Sequence, residues 1–429
     1  MKTINILLCL AGVSQACMPG PAPAGQHGDL VRKSEVPPPP TTTRISNVKV
    51  FDGTCFVGPE DIVMHNGYII KERSPCSQGA TNETSPETTV IDGTGQYLIP
   101  GLIDSHAHVN SIGGLENFTS YGVSTVFNMD CENYTLCNAL KGPHRGLATF
   151  LTAGLSAVGP GSPHAVNMHR APSGLYNETT QGPAAWAAAV FGNGSDYLKI
   201  VAEPRGPGQE AQNDLVAATH RMGRKTMTHA SFLEPAAQAI VSRTDGIQHL
   251  PSDGLLSADQ LDTIRRQNQT ITATIEINRL AATNPGILAF FGVVGPNATA
   301  RGVAAYKMVQ QNARLVVAAG IPVLAGTDAI GDTFPGVSFP FGSTLHAELV
   351  NLVEAGMTPA QALRAATEEP ARWYGLPDRG RIAPGMRADL VLLGSDPLAN
   401  TSNTLDIRRV WIGGVEYLDV AAQPTAKSI

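Results

Sequence analysis

Charge is scarce in this chain and nowhere concentrated. Asp, Glu, Lys and Arg make up 15% of the 429 residues, and 36 acids against 30 bases leave a net charge of −6. With no basic stripe to meet phosphates, nucleic acid is not expected as a partner. Cysteine is also sparse, six in all, too few for a disulfide-built scaffold. No G-x-S-x-G elbow occurs, so this serine-nucleophile signature is missing. Uninterrupted apolar runs of membrane-spanning length are absent, and no membrane partner is expected. A short apolar stretch opens the chain, where Met1-Lys2-Thr3 precedes the apolar Ile4 to Val13 and Ser14-Gln15-Ala16 supplies small residues for cleavage. It is too short to cross a bilayer and reads as a secretory signal over residues 1–16.

What is present agrees with secretion. Asn-x-Ser/Thr acceptors stand at Asn82, Asn117, Asn133, Asn177, Asn193, Asn268, Asn297 and Asn400, and glycans need surface positions in that route. Cys9 leaves with the signal. Cys131 and Cys137 are close enough for a local disulfide, Cys55 and Cys76 could make another, and Cys17 is left over. Residues 17–43, ending in four prolines and three threonines, cannot bury a core and read as an extended linker.

A hydrophobic content of 42% and this length allow one large domain and a small one. Short runs over 44–98, namely Ile45 to Phe51, Asp61 to His65, Tyr68 to Lys71, Val90-Ile91 and Tyr97 to Ile99, predict a small antiparallel β-unit. Strands of the same kind return within 378–425, at Leu390–Leu393 and Arg409–Ile412. The simplest architecture joins the chain ends into one β-domain. Between them, over 99–377, strand-like runs at 102–108, 123–129, 147–153, 197–202, 225–230, 246–250, 271–275 and 322–326 alternate with helical patterns such as 211–222, 257–266 and 300–319. Ser257 with Gln260 fits a capping box. Eight strand–helix pairs is the count of a (β/α)8 barrel, whose sites sit at the carboxyl ends of its strands.

Those ends carry one kind of chemistry. In Pro100 to Val109 an apolar strand finishes in His106 and His108, two apart and therefore on one face. Lys199 lies on the fourth strand, His229 ends the fifth, His249 the sixth and Asp328 the eighth. Each residue singly has an ordinary structural explanation; their convergence on one set of strand ends favours a metal site. An ammonium has no lone pair to give a metal, but a desolvated free amine can add carbon dioxide, and the carbamate has two anionic oxygens able to bridge two cations.

Here the chain resembles the amidohydrolase superfamily. The resemblance runs through Pro100–Val109, Asp196–Ile200, Lys225–Ala230, Gln248-His249, Ala325–Asp328, Leu345-His346-Ala347-Glu348-Leu349, Val353–Pro359 and Gly380–Val391. It is most similar to the branch of imidazolonepropionase-like proteins and Xaa-Pro dipeptidases, which includes fungal secreted ochratoxinase-type amidases. The resemblance implies a distorted (β/α)8 barrel with a composite β-sandwich and a binuclear zinc centre. His106, His108 and Asp328 would hold one ion, His229 and His249 the other, and carboxylated Lys199 would bridge them. A hydroxide shared by the ions would attack an amide carbonyl, with Asp328 as general base and later the proton donor to the leaving amine. Large homo-oligomers are common in this branch.

Deaminases of the superfamily carry an acid shortly after the fifth-strand histidine. Here Ala230-Ser231-Phe232-Leu233 follow His229 and Glu234 comes too late, which favours amide hydrolysis. A lactonase or esterase would use the same hydroxide, and a non-catalytic metal-binding relative is the rival from another class. The expected substrate is a small dipeptide-like or N-acyl amino acid amide with a free carboxylate. His164, His169, Arg170 and Arg205 lie in the loops after strands three and four as candidate substrate contacts, with His346 of the Leu345–Leu349 motif as a further one.

Overall fold

The computed structural model describes residues 42–70, 88–334 and 337–421. The expected signal, nearly all of the expected linker, Cys76 and Asn82 lie outside them. Five strands precede residue 101: β1 (Thr42–Phe51), β2 (Phe56–His65), β3 (Tyr68–Ile70), β4 (Thr88–Asp92) and β5 (Tyr97–Pro100). β1 begins inside the expected linker. Thr42 and Thr43 pair with His65 and Met64, positions where β-branched side chains suit a pleated ladder.

The middle of the chain supplies β6 (Leu102–Ala107), β7 (Val123–Asn128), β8 (Thr149–Thr152), β9 (Leu198–Val201), β10 (Thr226–His229), β11 (Gly246–Gln248), β12 (Thr270–Thr272) and β13 (Val323–Leu324). Every central strand expected from the sequence is there, in shorter form. β14 (Gly331–Phe334) and β15 (Val337–Phe339) form a hairpin. β16 (Leu390–Leu393), β17 (Ile407–Ile412) and β18 (Val415–Tyr417) close the chain.

β6, β7 and β8 pair in parallel, and so do β9 to β13 in sequence order. Hydrogen bonds also cross between the two parallel sets. Ala157 N–H donates to the Lys199 carbonyl at 2.8 Å and Val201 N–H to the Ala157 carbonyl at 3.1 Å. At the other side Ser105 N–H donates to the Ala325 carbonyl and His108 N–H to the Ala329 carbonyl. Their strands read as nearly continuous buried runs, as strands covered on both faces do.

Strands from both ends of the chain share one further sheet, in the order β18-β17-β16-β5-β1-β2-β3 with β4 also on β1. It is mixed, whereas the sequence predicted an antiparallel unit. β4 and β5 both run parallel to β1, and a parallel return needs a long connection. β5 leads straight into β6, so its antiparallel pairing with β16 ties the C-terminal strands to the start of the histidine-bearing strand.

The helices follow local rules. Helix Ala258–Arg266 starts from Ser257 in a complete capping box with Gln260 and buries Leu261 and Ile264. Helices Gln209–Arg221 and Ala298–Ala318 fall where the periodicity placed them. Cys131 and Cys137 form a disulfide across helix Tyr134–Leu140, with Cα atoms 6.3 Å apart. Cys55 is exposed. No helix among the described residues is long and apolar enough to cross a membrane.

Candidate metal centre

β6 is wholly buried, yet carries Asp104, Ser105 and His106 in its six residues. Period two puts Asp104, His106 and, just past the strand, His108 on one side. Asp328 follows β13 in a left-handed conformation, φ 60°, where a non-glycine residue is uncommon. The turn is held by the Asp328 and Thr327 N–H groups, both donating to the His106 carbonyl at 2.7 and 3.0 Å. This aims the carboxylate back at the histidines. His106 Nε2 is 3.2 Å and His108 Nε2 3.1 Å from the same oxygen, Asp328 Oδ1. The three residues form a buried cluster with potential ligand atoms within 4.8 Å of one another.

The remaining histidines join it ring to ring. His249 lies 4.8 Å from His106 and 4.5 Å from His229 between ring centroids, and His229 is 4.6 Å from His164. His249 Nδ1 is 4.0 Å from Asp328 Oδ2. Lys199 is also buried, at 1% exposure. The structure thus brings together His106, His108, Lys199, His229, His249 and Asp328, with His164 against them.

Electrostatics favour neutral imidazoles. Burial, reinforced by the Lys199 charge, holds His106 and His249 far below the usual histidine range, and pushes His108 down to about 3. Burial and then His249 do the same to His229. Burial pushes the Asp328 carboxyl well up, partly opposed by Lys199. Neutral imidazoles are the form a cation needs.

The donor set fits a metal. His106 Nδ1–H donates to Gln248 Oε1 at 2.8 Å, so the neutral ring turns the Nε2 lone pair on Asp328. Neither ring nitrogen of buried His108 makes a hydrogen bond. Two lone pairs facing one carboxylate oxygen are favourable only with a proton or cation among them. Ligands about 2.0–2.2 Å from a tetrahedral zinc lie roughly 3.3 Å apart, close to the separations found.

The candidate substrate contacts divide. His164 is buried, donates from Nδ1 to Glu203 Oε2 at 2.6 Å, and its Nε2 has no hydrogen-bond partner. His169 and Arg205 are exposed residues in left-handed conformations, and no ion pair holds Arg205 among the described residues. Arg170 is not an open carboxylate fork. It is buried, with Nη2 on Asp130 Oδ2 at 2.5 Å, Nη1 on both Ser156 oxygens at 3.2 Å and Nε 3.2 Å from Glu132. Burial raises the Asp130 carboxyl, but Arg170 and Ser156 outweigh it and the net shift is downward. His346 is not brought to the cluster. Its ring spans the Tyr121 carbonyl (3.0 Å) and Thr404 Oγ1 (2.9 Å), and Tyr121 lies just before β7, opposite the strand ends that hold the histidines.

Several residues that hold the side chains of the cluster were not singled out from the sequence. Asp104 accepts from Thr327 Oγ1 at 2.7 Å and from the His106 and Thr327 N–H groups; its place two before His106 was the available signal. Ser231 Oγ meets His229 Nε2 at 3.0 Å, and Thr274 Oγ1 meets His249 Nδ1 at 2.8 Å. Glu203, four residues past Lys199, orients His164.

Residues 97–416 match the model of the amidohydrolase family. Imidazolonepropionase of Deinococcus deserti is 31% identical over 208 residues, 48% of this chain but only 45% of that protein's length. The Geobacillus kaustophilus imidazolonepropionase is 26% identical over 71% of this chain and 76% of its own. Among solved structures, a Xaa-Pro dipeptidase with methionine bound in its active site superposes with a TM-score of 0.71 at 21% identity, covering 88% of this chain and 99% of that one. Ochratoxinase of A. niger gives 0.68 at 16% identity, covering 87% and 95%. With the matched region extending over more than half of its length, the chain belongs to the amidohydrolase family.

Proposed function

We propose that this protein is a metal-dependent hydrolase of a C–N amide bond in a small molecule, working at the strand ends of a (β/α)8 barrel. The observation that carries the reading is the convergence of His106 Nε2 and His108 Nε2 on one oxygen of Asp328 in a buried site. The barrel reading is supported by the hydrogen bonds crossing on both sides between β6–β8 and β9–β13. Residues 44–98 and 378–425 would then form the composite β-domain flanking the barrel at 99–377.

His106, His108 and Asp328 would hold one ion and His229 and His249 a second, with Lys199, as its carbamate, between them. The carbamate converts a positive neighbour of four histidines into a negative one. Zinc suits the imidazole and carboxylate donors. Bound divalent metal supplies Lewis acidity, lowering the pKa of a water and polarising the scissile carbonyl. Asp328 takes the proton of the attacking water and returns it to the leaving nitrogen. His164, its Nδ1 proton engaged by Glu203, offers Nε2 toward the substrate side of His229. Arg205 is the arginine left to read a substrate carboxylate, since Arg170 is committed to Asp130. The protein is secreted and glycosylated in this reading. Its sequons support that: Asn117, Asn133, Asn193, Asn268, Asn297 and Asn400 are exposed and Asn177 half-buried.

The test is metal analysis of purified protein with a screen of N-acyl amino acids, their C-terminal amides, dipeptides and lactones. Two zinc ions per chain, activity lost to chelators and amide turnover are expected, and Lys199→Ala should lower both zinc content and rate. Full activity in Lys199→Ala would refute the bridge. Turnover of lactones alone would refute the amide assignment, and equal rates on acid and amide forms would refute the carboxylate role of Arg205.

A further inference from the structure

We infer that Glu348 is a positioning residue for His249, acting at a distance through the turn that carries Thr274; the inference rests on His249 being a metal ligand as proposed above. Glu348 belongs to the Leu345–Leu349 motif and lies on helix Ser343–Glu354, wholly buried. Its carboxylate oxygens accept two backbone N–H groups of another helix, Ile275 at 3.0 Å and Glu276 at 2.8 Å. These are the first N–H groups of helix Ile275–Thr283, donors that a helix cannot satisfy internally.

The residue expected to cap such a helix is the one before it, and that residue is Thr274, a good capping type. Its side chain makes no cap bond. Thr274 sits instead in the left-handed region, φ 48°, which a β-branched residue adopts only when its surroundings impose it. In that conformation its Oγ1 meets His249 Nδ1 at 2.8 Å. A carboxylate 73 positions away in sequence does the capping, and the threonine is released to hold the histidine.

A second buried network lies beside the cap. Glu276 is buried, held by Arg279 and by Asn351 Nδ2 at 2.8 Å. Asn351 lies three residues after Glu348, on the same face of its helix. His249 is itself left-handed, φ 72°, and its Nδ1 is bound by Thr274. With Nδ1 given to Thr274, Nε2 is the nitrogen it would turn to a cation. Outer partners of this kind fix both the tautomer and the ring plane of a ligating histidine.

The test uses the full chain stripped of metal, with zinc alone as the probe. Glu348→Gln keeps one acceptor but turns an N–H donor against the other backbone N–H. Thr274→Val removes the hydroxyl at constant shape, Thr274→Ser keeps it, and Glu276→Gln disturbs the neighbouring buried network without removing the cap. Zinc affinity by chelator competition, melting of the stripped protein, and kcat and KM are measured for each. Glu348→Gln and Thr274→Val should each weaken the second zinc by about 10–100-fold and lower kcat more than they raise KM. Their double variant should be no worse than the worse single one. Thr274→Ser should bind as wild type does, and Glu276→Gln should lower melting alone. If Glu348→Gln does not fold, the Val and Ser pair at position 274 decides. Wild-type zinc affinity in Thr274→Val, or in a folded Glu348→Gln that merely melts earlier, overturns the inference while the metal centre stands. Wild type binding no zinc overturns both.

Discussion

Replacing His108 by Leu should make the metal-free protein more stable while abolishing its function. His108 is fully buried, and neither ring nitrogen makes a hydrogen bond. A buried polar group without a partner costs about 1–3 kcal/mol, and Leu removes both nitrogens at similar volume. Imperfect fit in a close-packed site takes back part of that gain, leaving roughly 1–3 kcal/mol of net stabilisation. Asp328 is not stranded as a bare charge, because burial already favours its neutral carboxyl. Unfolding entropy scales with length, so each kcal/mol moves the melting point of a chain this long by about 1 °C. Stripped His108→Leu should therefore melt about 1–3 °C above stripped wild type. Zinc at 100 times its Kd should raise wild type by about 3 kcal/mol per ion, or about 3 °C each, and raise the variant by the second ion's share at most. Scanning calorimetry with and without a chelator reads all four states, and a hydrolysis assay should find the variant inactive. A stripped variant that melts below stripped wild type would refute the idea that His108 is held for a ligand at the expense of stability. So would a variant that gains as much from zinc as wild type does.

The stripped protein should lose stability on acidification. His108 titrates near 3 and His346 near 4 in the fold, both depressed first by burial, against about 6.5 unfolded. The unfolded state therefore binds more protons between those values, so this stability is complete above pH 6.5 and is lost as pH falls, by up to about 1.4 kcal/mol per unit for each histidine. His346→Gln should flatten the urea-midpoint difference between pH 7 and pH 5, and an unchanged difference would remove His346 from the account. Arg170→Ala should destabilise by about 3–5 kcal/mol, because Asp130 is left buried without its partner; a loss under 1 kcal/mol in urea would show the pair to be incidental. Expression of the full chain in a eukaryotic host should give a secreted product cleaved near Ala16 whose mass falls on deglycosylation, and a cytosolic, unmodified product would refute secretion.

The buried cluster was legible because its geometry is local. His106 and His108 share a side by strand period alone, Lys199 lies within a short apolar run, and His229, His249 and Asp328 close or follow others. The same run lengths fixed the central strands. The mixed sheet was less legible: alternation marks β1, β4 and β5 as strands, but the direction of pairing is set by the length of the connections between them. Thr42 and Thr43 were assigned to the linker by the prolines beside them, although their own side chains favour the ladder they join.

What lay beyond reach was partnership. Arg170 sits in a loop near the histidine cluster and has the right chemistry for a carboxylate, yet the carboxylate it meets belongs to Asp130, forty residues earlier. His346 has the right chemistry for a site and spends both nitrogens elsewhere, joining its helix to Tyr121 and Thr404. Glu348, two residues on, reads as a helix-face acid and instead caps a different helix. Nearly every buried polar group finds a partner, so residue type predicts that a bond exists while leaving its other end to the fold. The difference between Arg170 and Arg205 follows from this. Burial obliges Arg170 to be paired within the protein, whereas exposure leaves Arg205 for a partner that arrives from solution. Substitution tells them apart in kind: Arg170→Ala should act on folding, and Arg205→Ala on KM for a carboxylate substrate, with neither effect appearing in the other variant.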